Sequence, residues 1–134
     1  MLVQRPSLAR MVLRALLLRC PWCGGKGWTT GLIRRTDRCR SCGYKYERQP
    51  GFALGAVTMN TMVTFGALAL VIVIGFVATY PDIAAVPIVL AAIAVTTVVP
   101  VVFYPFSYTL WAAIDLTMRP LDAHELADAA AHAP

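Results

Sequence analysis

Charged residues are scarce in this chain, and their distribution is uneven. Only 14% of its 134 residues are Asp, Glu, Lys or Arg, against roughly 25% in an average soluble domain. Residues 49–81 and 83–114 contain no charged side chain, and Asp82 alone separates the two runs. An ordinary soluble domain is excluded, because a soluble core could hardly cover all faces of two helices this apolar.

The residue combinations of common enzymes are also missing. The two histidines, His124 and His132, lie far from the cysteines, and the chain has no Ser/His/Asp set, no glycine-rich phosphate loop and no carboxylate pair placed for catalysis. Its length allows one compact domain, or a small module joined to a membrane segment. We therefore expect a protein that is not an enzyme, with no catalytic residues, no organic cofactor and no evident small-molecule substrate.

The two uncharged runs predict a membrane anchor. Each is long enough to cross a bilayer, which needs about 20 mostly apolar residues, so residues 49–118 are interpreted as a two-span transmembrane helical hairpin turning at Tyr80-Pro81-Asp82. Residues 1–50 hold eleven of the twelve Lys and Arg residues. Because segments rich in Lys and Arg stay in the cytoplasm, both the N-terminus and the C-terminus are predicted to be cytoplasmic.

The first 19 residues are predicted to be an amphipathic segment rather than a signal peptide. A secretory signal needs about 7–15 uninterrupted apolar residues, and four arginines break this stretch: Arg5, Arg10, Arg14 and Arg19. Residues 7–18 are expected to form a short helix with Ser7 as N-cap. This helix would lie on the inner leaflet with its arginines near anionic headgroups; the alternative is a helix that packs on protein or frays.

The strongest functional signal is the cysteine spacing C-x2-C-x15-C-x2-C, formed by Cys20, Cys23, Cys39 and Cys42. Two residues between paired cysteines let both thiolates of a tight turn point at one ion, and Gly24 and Gly43 permit the positive φ that such turns require. Four thiolates make the closed tetrahedral shell of a structural zinc site. The fold class predicted is therefore a small cytoplasmic β zinc ribbon, residues 20–48, followed by the α-helical transmembrane hairpin.

Three other uses of the cysteines compete with zinc. Two disulfides would need an oxidising compartment, against the predicted cytoplasmic side, and a thioredoxin-like pair needs a βαβ fold that the pattern does not indicate. Iron in a rubredoxin-like electron carrier uses the same four ligands, so iron stays open as the metal. The charge of +9 on residues 1–50 likewise leaves nucleic-acid binding open as an alternative, although topology and the thiolate charge also account for the arginines.

Within the ribbon, a hairpin is expected at Trp28–Ile33. The aromatic side chains of the module are expected either to contact a partner or to pack in its own core: Trp22, Trp28, Tyr44 and Tyr46.

Polar and small residues in the first span predict contact between the two helices. Asn60 and Thr64 share one helix face, while Gly55 and Gly66 would let another helix approach closely. We expect Asn60 to join the two spans, because an amide in hydrocarbon needs a partner; a ligand site there is the alternative.

The second span carries prolines, an aromatic belt and a terminal charge pair. Pro100 and Pro105 predict a kink, with the hydroxyls of Thr96 and Thr97 bonding the carbonyls that the prolines free. Aromatic residues suited to the cytoplasmic interface follow, and a lipid or quinone site there is the alternative to simple anchoring: Phe103, Tyr104, Phe106, Tyr108 and Trp111. Asp115 and Arg119 are spaced for an exposed ion pair. Residues 119–134 are expected to be a flexible tail, disordered or a frayed helix, with both histidines exposed.

Three stretches, Arg19–Trp28, Asp37–Glu47 and Tyr104–Leu116, resemble the bacterial membrane family catalogued as domain of unknown function 983. The resemblance covers residues 17–121 and implies a small multi-pass protein of the bacterial inner membrane with a cytoplasmic zinc-ribbon-like head. Many relatives carry an acidic-glycine-proline stretch before the first span, where this chain has Arg48-Gln-Pro-Gly-Phe52. With no catalytic set, we expect a non-enzymatic assembly, scaffold or accessory subunit of a larger membrane complex, whose partners are the bilayer and another membrane protein.

Overall fold

The computed structural model describes residues 6–26 and 36–134. Four helices follow one another along this part of the chain: α1 spans Leu8–Leu16, α2 Phe52–Thr79, α3 Ala85–Met118 and α4 Ala123–Ala131. α2 and α3 are joined by a short link and pack against each other. The predicted helical hairpin is therefore confirmed.

Both long helices have the dimensions and surface of membrane spans. α2 has 28 residues and α3 has 34, so at about 1.5 Å per residue each exceeds the roughly 30 Å hydrocarbon core of a bilayer. No residue of the most apolar window in either helix is buried inside the protein, unlike the core helix of a soluble domain. These helices indicate a membrane protein with two candidate spans.

Small residues let α2 and α3 approach closely at both ends of the hairpin. A side chain at Gly55 would overlap the Trp111 ring, and a Cβ at Gly75 would lie 2.7 Å from Ile88 Cγ1. Gly66 faces open space, so the expectation holds for Gly55 and is wrong for Gly66. Between these points Asn60 Nδ2 donates a hydrogen bond to the Pro100 carbonyl oxygen at 3.1 Å, as expected of an amide that joins the spans.

The hydroxyl groups near the prolines behave differently from the expectation. α3 continues through Pro100 and Pro105, and Thr96 Oγ1 bonds the Ala92 carbonyl at 2.9 Å, while Thr97 Oγ1 bonds the Ile93 carbonyl at 2.8 Å. A threonine hydroxyl in a helix reaches back to the carbonyl one turn earlier. It does not bond the carbonyls that the prolines leave without a donor.

α1 is a helix, as predicted, and it packs on protein along one face. Met11 and Ala15 are buried, and α1 lies against α3. Ser7 occupies the N-cap position, but its side chain makes no capping bond; its carbonyl accepts a hydrogen bond from Met11 N at 3.0 Å.

The residues around the second cysteine pair contain no regular strand. Among residues 36–48, Arg38 and Lys45 form one isolated antiparallel bridge, flanked by hydrogen bonds from Cys39 N to the Tyr44 carbonyl and from Tyr46 N to the Asp37 carbonyl. The described residues of the predicted β zinc ribbon therefore contain no strand. The predicted hairpin at Trp28–Ile33 lies outside the described residues.

One hydrophobic core connects the cysteine segment to the ends of the membrane helices. Buried members come from α1, the cysteine segment, the start of α2 and the end of α3: Met11, Ala15, Cys20, Cys39, Tyr44, Tyr46, Phe52, Ala56, Tyr108, Ala112, Ala113 and Leu116. Tyr44 and Tyr46 pack edge to face, with ring centroids 5.2 Å apart. These two tyrosines therefore fill the core and are not a surface for partners.

The C-terminal tail contains a capped helix, where a disordered segment or a frayed helix was expected. Asp122 and Glu125 make a capping box at the start of α4, with the Glu125 carboxylate accepting a hydrogen bond from Asp122 N at 3.1 Å. This satisfies backbone donors that a helix N-terminus otherwise leaves unpaired. α4 also packs on the second cysteine pair, as described below.

Candidate metal centre

The four predicted ligands meet at one point. The sulfur atoms of Cys20, Cys23, Cys39 and Cys42 all lie within 4.8 Å of one another. Cys20 Sγ is 3.9 Å from Cys42 Sγ, and Cys23 Sγ is 3.7 Å from Cys39 Sγ. Four sulfurs at about 2.3 Å from a tetrahedral ion are separated by about 3.8 Å, so this group has the dimensions of a four-thiolate metal site.

Two matching turns produce this geometry. Gly24 N donates to the Cys20 carbonyl at 2.8 Å, and Gly43 N donates to the Cys39 carbonyl at 2.9 Å. Both glycines have positive φ, +78° and +67°, which residues with a Cβ adopt only under strain. The predicted role of these glycines is confirmed, and the short spacing within each pair suffices to create half of the site.

Burial differs among the four cysteines. Cys20 and Cys39 are buried, Cys42 is partly buried and Cys23 is exposed. Hydrogen bonds from the Cys20 and Cys42 thiols lower the pKa of Cys39. The same hydrogen bond between Cys20 and Cys39 raises the pKa of Cys20 to about 12. Four neighbouring sulfurs cannot all ionise without a cation between them, so metal binding must release protons.

Arg14 of α1 holds the first cysteine pair. Its guanidinium donates to the Trp22 carbonyl at 2.8 Å and to the Pro21 carbonyl at 3.3 Å. Arg14 was expected at the lipid headgroups, but it is half-buried against the turn between Cys20 and Cys23. α1 ends at Leu16, and the chain after it places the turn, seven residues beyond Arg14, against the Arg14 side chain.

α4 covers the second cysteine pair. A side chain at Gly43 would overlap the Ala129 carbonyl oxygen, so the helix rests directly on the turn. Beside this contact, Arg38 forms an ion pair with Asp128 at 2.8 Å and donates to the Gly43 carbonyl at 3.3 Å. The hydrogen bond from Arg38 lowers the pKa of Asp128.

Arg48 is the residue that sequence reasoning missed. Its side chain is only 8% exposed, and it pairs with Asp115 at 2.5 Å and with Glu125 at 2.9 Å. It also donates to the Arg119 carbonyl at 2.8 Å. Arg48 thus joins the cysteine segment to the end of α3 and to α4.

The expected ion pair between Asp115 and Arg119 is wrong. Asp115 pairs with Arg48 instead, and the Arg119 side chain bonds Gln49. The signal in the sequence was the position of the charges: Arg48 and Asp115 are the charged residues nearest the two apolar runs on the same side of the hairpin, and the hairpin brings them together.

The other candidate residues take structural positions. His124 and His132 are exposed, and the described metal-ligand group contains neither. In the aromatic belt, Tyr108 is 4% exposed and packs on Tyr104 with ring centroids 5.4 Å apart. Tyr108 therefore belongs to the core, while Trp111 packs on Gly55.

These features define a class of protein: one with two candidate membrane-spanning helices and, at one end of the helical hairpin, a cluster of four cysteines that could bind a metal ion. The model of a family described as Protein of unknown function (DUF983) matches residues 30–115, well over half of the chain. The chain belongs to this family. The match begins after Cys20 and Cys23; it includes Cys39, Cys42, all of α2, and α3 as far as Asp115. No curated protein and no solved structure matches the chain.

Proposed function

We propose that this chain is a zinc-ribbon protein of the bacterial inner membrane that acts as an assembly, scaffold or accessory subunit of a larger membrane complex. The observation that carries the proposal is how the four-cysteine group is mounted. Arg14 fixes its first turn, α4 covers its second turn, and Arg48 ties the segment to α3. A site held from several sides suits a rigid binding platform.

The ligand set supports a structural role for the metal. Four thiolates fill a tetrahedral shell and leave no position for water or substrate. Zinc suits such a shell because it has no redox chemistry and tolerates tetrahedral thiolate coordination. Iron would instead give an electron carrier, and it is the outcome that would replace this proposal.

The orientation follows from charge. Residues 1–50 carry the metal ligands and a charge of +9, and residues 80–84 carry no Lys or Arg. Positive flanks stay cytoplasmic, so the metal centre and α4 lie in the cytoplasm. Reporter fusions at Asp82 and after the end of α4 test this: an outside turn and an inside tail are expected, and the reverse arrangement would refute it.

Purification of the full chain from native membranes in mild detergent, without added metal, tests the function. We expect about one zinc per chain and a membrane-protein partner in constant ratio to it. A matched preparation of the Arg40→Gln variant, which alters one exposed head residue beside Cys39 and Cys42, shows whether the partner contacts this surface. One iron with visible thiolate absorption, co-purified nucleic acid lost at high salt, or a protein that runs alone in several detergents would contradict the proposal.

A further inference from the structure

α1 has an unoccupied apolar side next to the membrane helices. Three leucines of α1 and the leucine that follows the helix expose 49–60% of their surface: Leu8, Leu13 and Leu16, and then Leu17. Met11 and Ala15 already use one face of α1 for packing on α3. The exposed leucines therefore form a second apolar face that no part of the described chain covers.

The two flanks of α1 differ sharply in chemistry. Successive residues of a helix are about 100° apart around its axis. Viewed along α1, the exposed leucines therefore lie on one side of the face that packs on α3, the leucine flank, and Arg10 and Arg14 lie on the other side, the arginine flank. Arg14 contacts the carbonyls of Pro21 and Trp22. The metal centre thus lies on the arginine flank, and the leucine flank points away from it.

The depth of α1 follows from the part of α3 that it contacts. Met11 and Ala15 share a core with Tyr108 and Leu116, which are 23 and 31 residues beyond Ala85, where α3 begins. At about 1.5 Å per residue these positions lie roughly 35 and 47 Å from the far end of α3, which brackets the outer edge of a bilayer about 30 Å thick in its hydrocarbon core and about 40–45 Å thick with its headgroups. α1 is therefore at the level of the lipid headgroups, with its leucine flank towards the acyl chains.

Charge identifies which lipids this surface fits. Arg14, Arg38 and Arg48 bond protein groups, while the remaining described basic residues before α2 are exposed: Arg10, Arg19, Lys26, Arg40 and Lys45. Clusters of exposed Lys and Arg beside a membrane helix attract anionic phospholipid. α1 packs on α3, and α2 and α3, the two candidate membrane spans, also expose large apolar side chains along their length.

We propose that the leucine flank of α1 inserts into the leaflet beside the metal centre and that Arg10 and Arg19 bind anionic phospholipid there. Because Arg14 of the same helix grips the turn between Cys20 and Cys23, lipid binding also steadies the first half of the metal site. This inference goes beyond the accessory role and does not depend on it.

Hydrogen exchange of the full chain in nanodiscs, one copy per disc, tests the proposal. Discs of phosphatidylcholine alone are compared with discs that contain phosphatidylglycerol. We expect amides of Leu8–Leu16 to exchange about tenfold more slowly in the anionic discs, with a smaller effect over residues 20–26. α4, which is also nine residues long and has no large exposed apolar side chain, is the internal control and should not change.

Two variants separate insertion from charge recognition. Leu13→Gln with Leu16→Gln should remove the protection of α1 and its cross-linking to phosphatidylglycerol with a diazirine in the acyl chain, while Met118→Gln, an exposed apolar residue at the end of α3, should change neither. Arg10→Gln should keep the cross-linking and reduce the dependence on anionic lipid. Equal α1 exchange in both discs would refute lipid recognition, and full cross-linking of the double leucine variant would refute insertion.

Discussion

Replacing Arg48 with Met tests the contact that joins the metal centre to the membrane helices. The Arg48 side chain is 8% exposed and its partner Asp115 is 18% exposed, so the substitution leaves a carboxylate without its cation in a largely dry place. Breaking a buried ion pair by removing one partner costs about 3–5 kcal/mol. Glu125 is 33% exposed and adds less than about 1 kcal/mol. We expect a loss of about 3 kcal/mol, at the low end because Asp115 retains some contact with water.

The measurement is thermal and denaturant unfolding of the metal-loaded protein in detergent, with hydrogen exchange of α4 as a local reading. Lys45→Met is the matched control, because Lys45 lies three residues away and is exposed. Arg48→Lys should lose less than Arg48→Met, since it keeps the charge but cannot bond several acceptors at once.

A double-mutant cycle tells the ion pair apart from lost packing. Removing both partners leaves no uncompensated charge, so Arg48→Met with Asp115→Leu should recover much of the loss. The reasoning fails if Arg48→Met has the same free energy of unfolding as Lys45→Met. It also fails if the double variant loses as much free energy of unfolding as the two single variants lose in total.

Three further outcomes are expected. Cys39→Ser should abolish stoichiometric metal binding, whose apparent free energy is about 10–16 kcal/mol in zinc-finger peptides, and expose residues 20–48 to protease, whereas His132→Ala should change neither metal content nor digestion; the opposite pattern would refute the ligand assignment. Gly43→Ala should retain the metal but release α4, because the methyl group meets the helix at a positive φ, costing about 1–3 kcal/mol; unchanged exchange of α4 amides would contradict this. Gly55→Ile should destabilise the hairpin by about 1–3 kcal/mol through overlap with a tryptophan ring, while Gly66→Ile, in open space, should be tolerated; equal unfolding temperatures would count against the packing.

Local patterns were read correctly from the sequence. Two residues between paired cysteines and a glycine after each pair determine a turn within a few positions, so the meeting of Cys20 and Cys42 with the other two cysteines could be predicted from spacing alone. The two long apolar helices could also be predicted, because an uncharged run long enough to cross a bilayer is compatible with few other structures. Asn60 followed from the cost of an unpaired amide in hydrocarbon.

Contacts between distant segments were not predictable in the same way. Asp115 was assigned to Arg119 by helix spacing, yet the better partner is Arg48, 67 positions earlier, which only the folded hairpin brings near. The capping box at Asp122 was present in the sequence as a start signal for α4. The packing of α4 on Gly43 could not be predicted from the sequence, because it depends on the missing side chain of a residue in a distant segment.

The shared core constrains when this protein can mature. Cys20, Cys39 and Tyr44 leave the ribosome before α3 exists, but their burial requires Tyr108 and Leu116 near the end of that helix. The core around the cysteine segment can therefore close only after the end of α3 has been synthesised. We therefore expect the cysteines of a chain that ends before α3 to react faster with thiol reagents than the cysteines of the full chain.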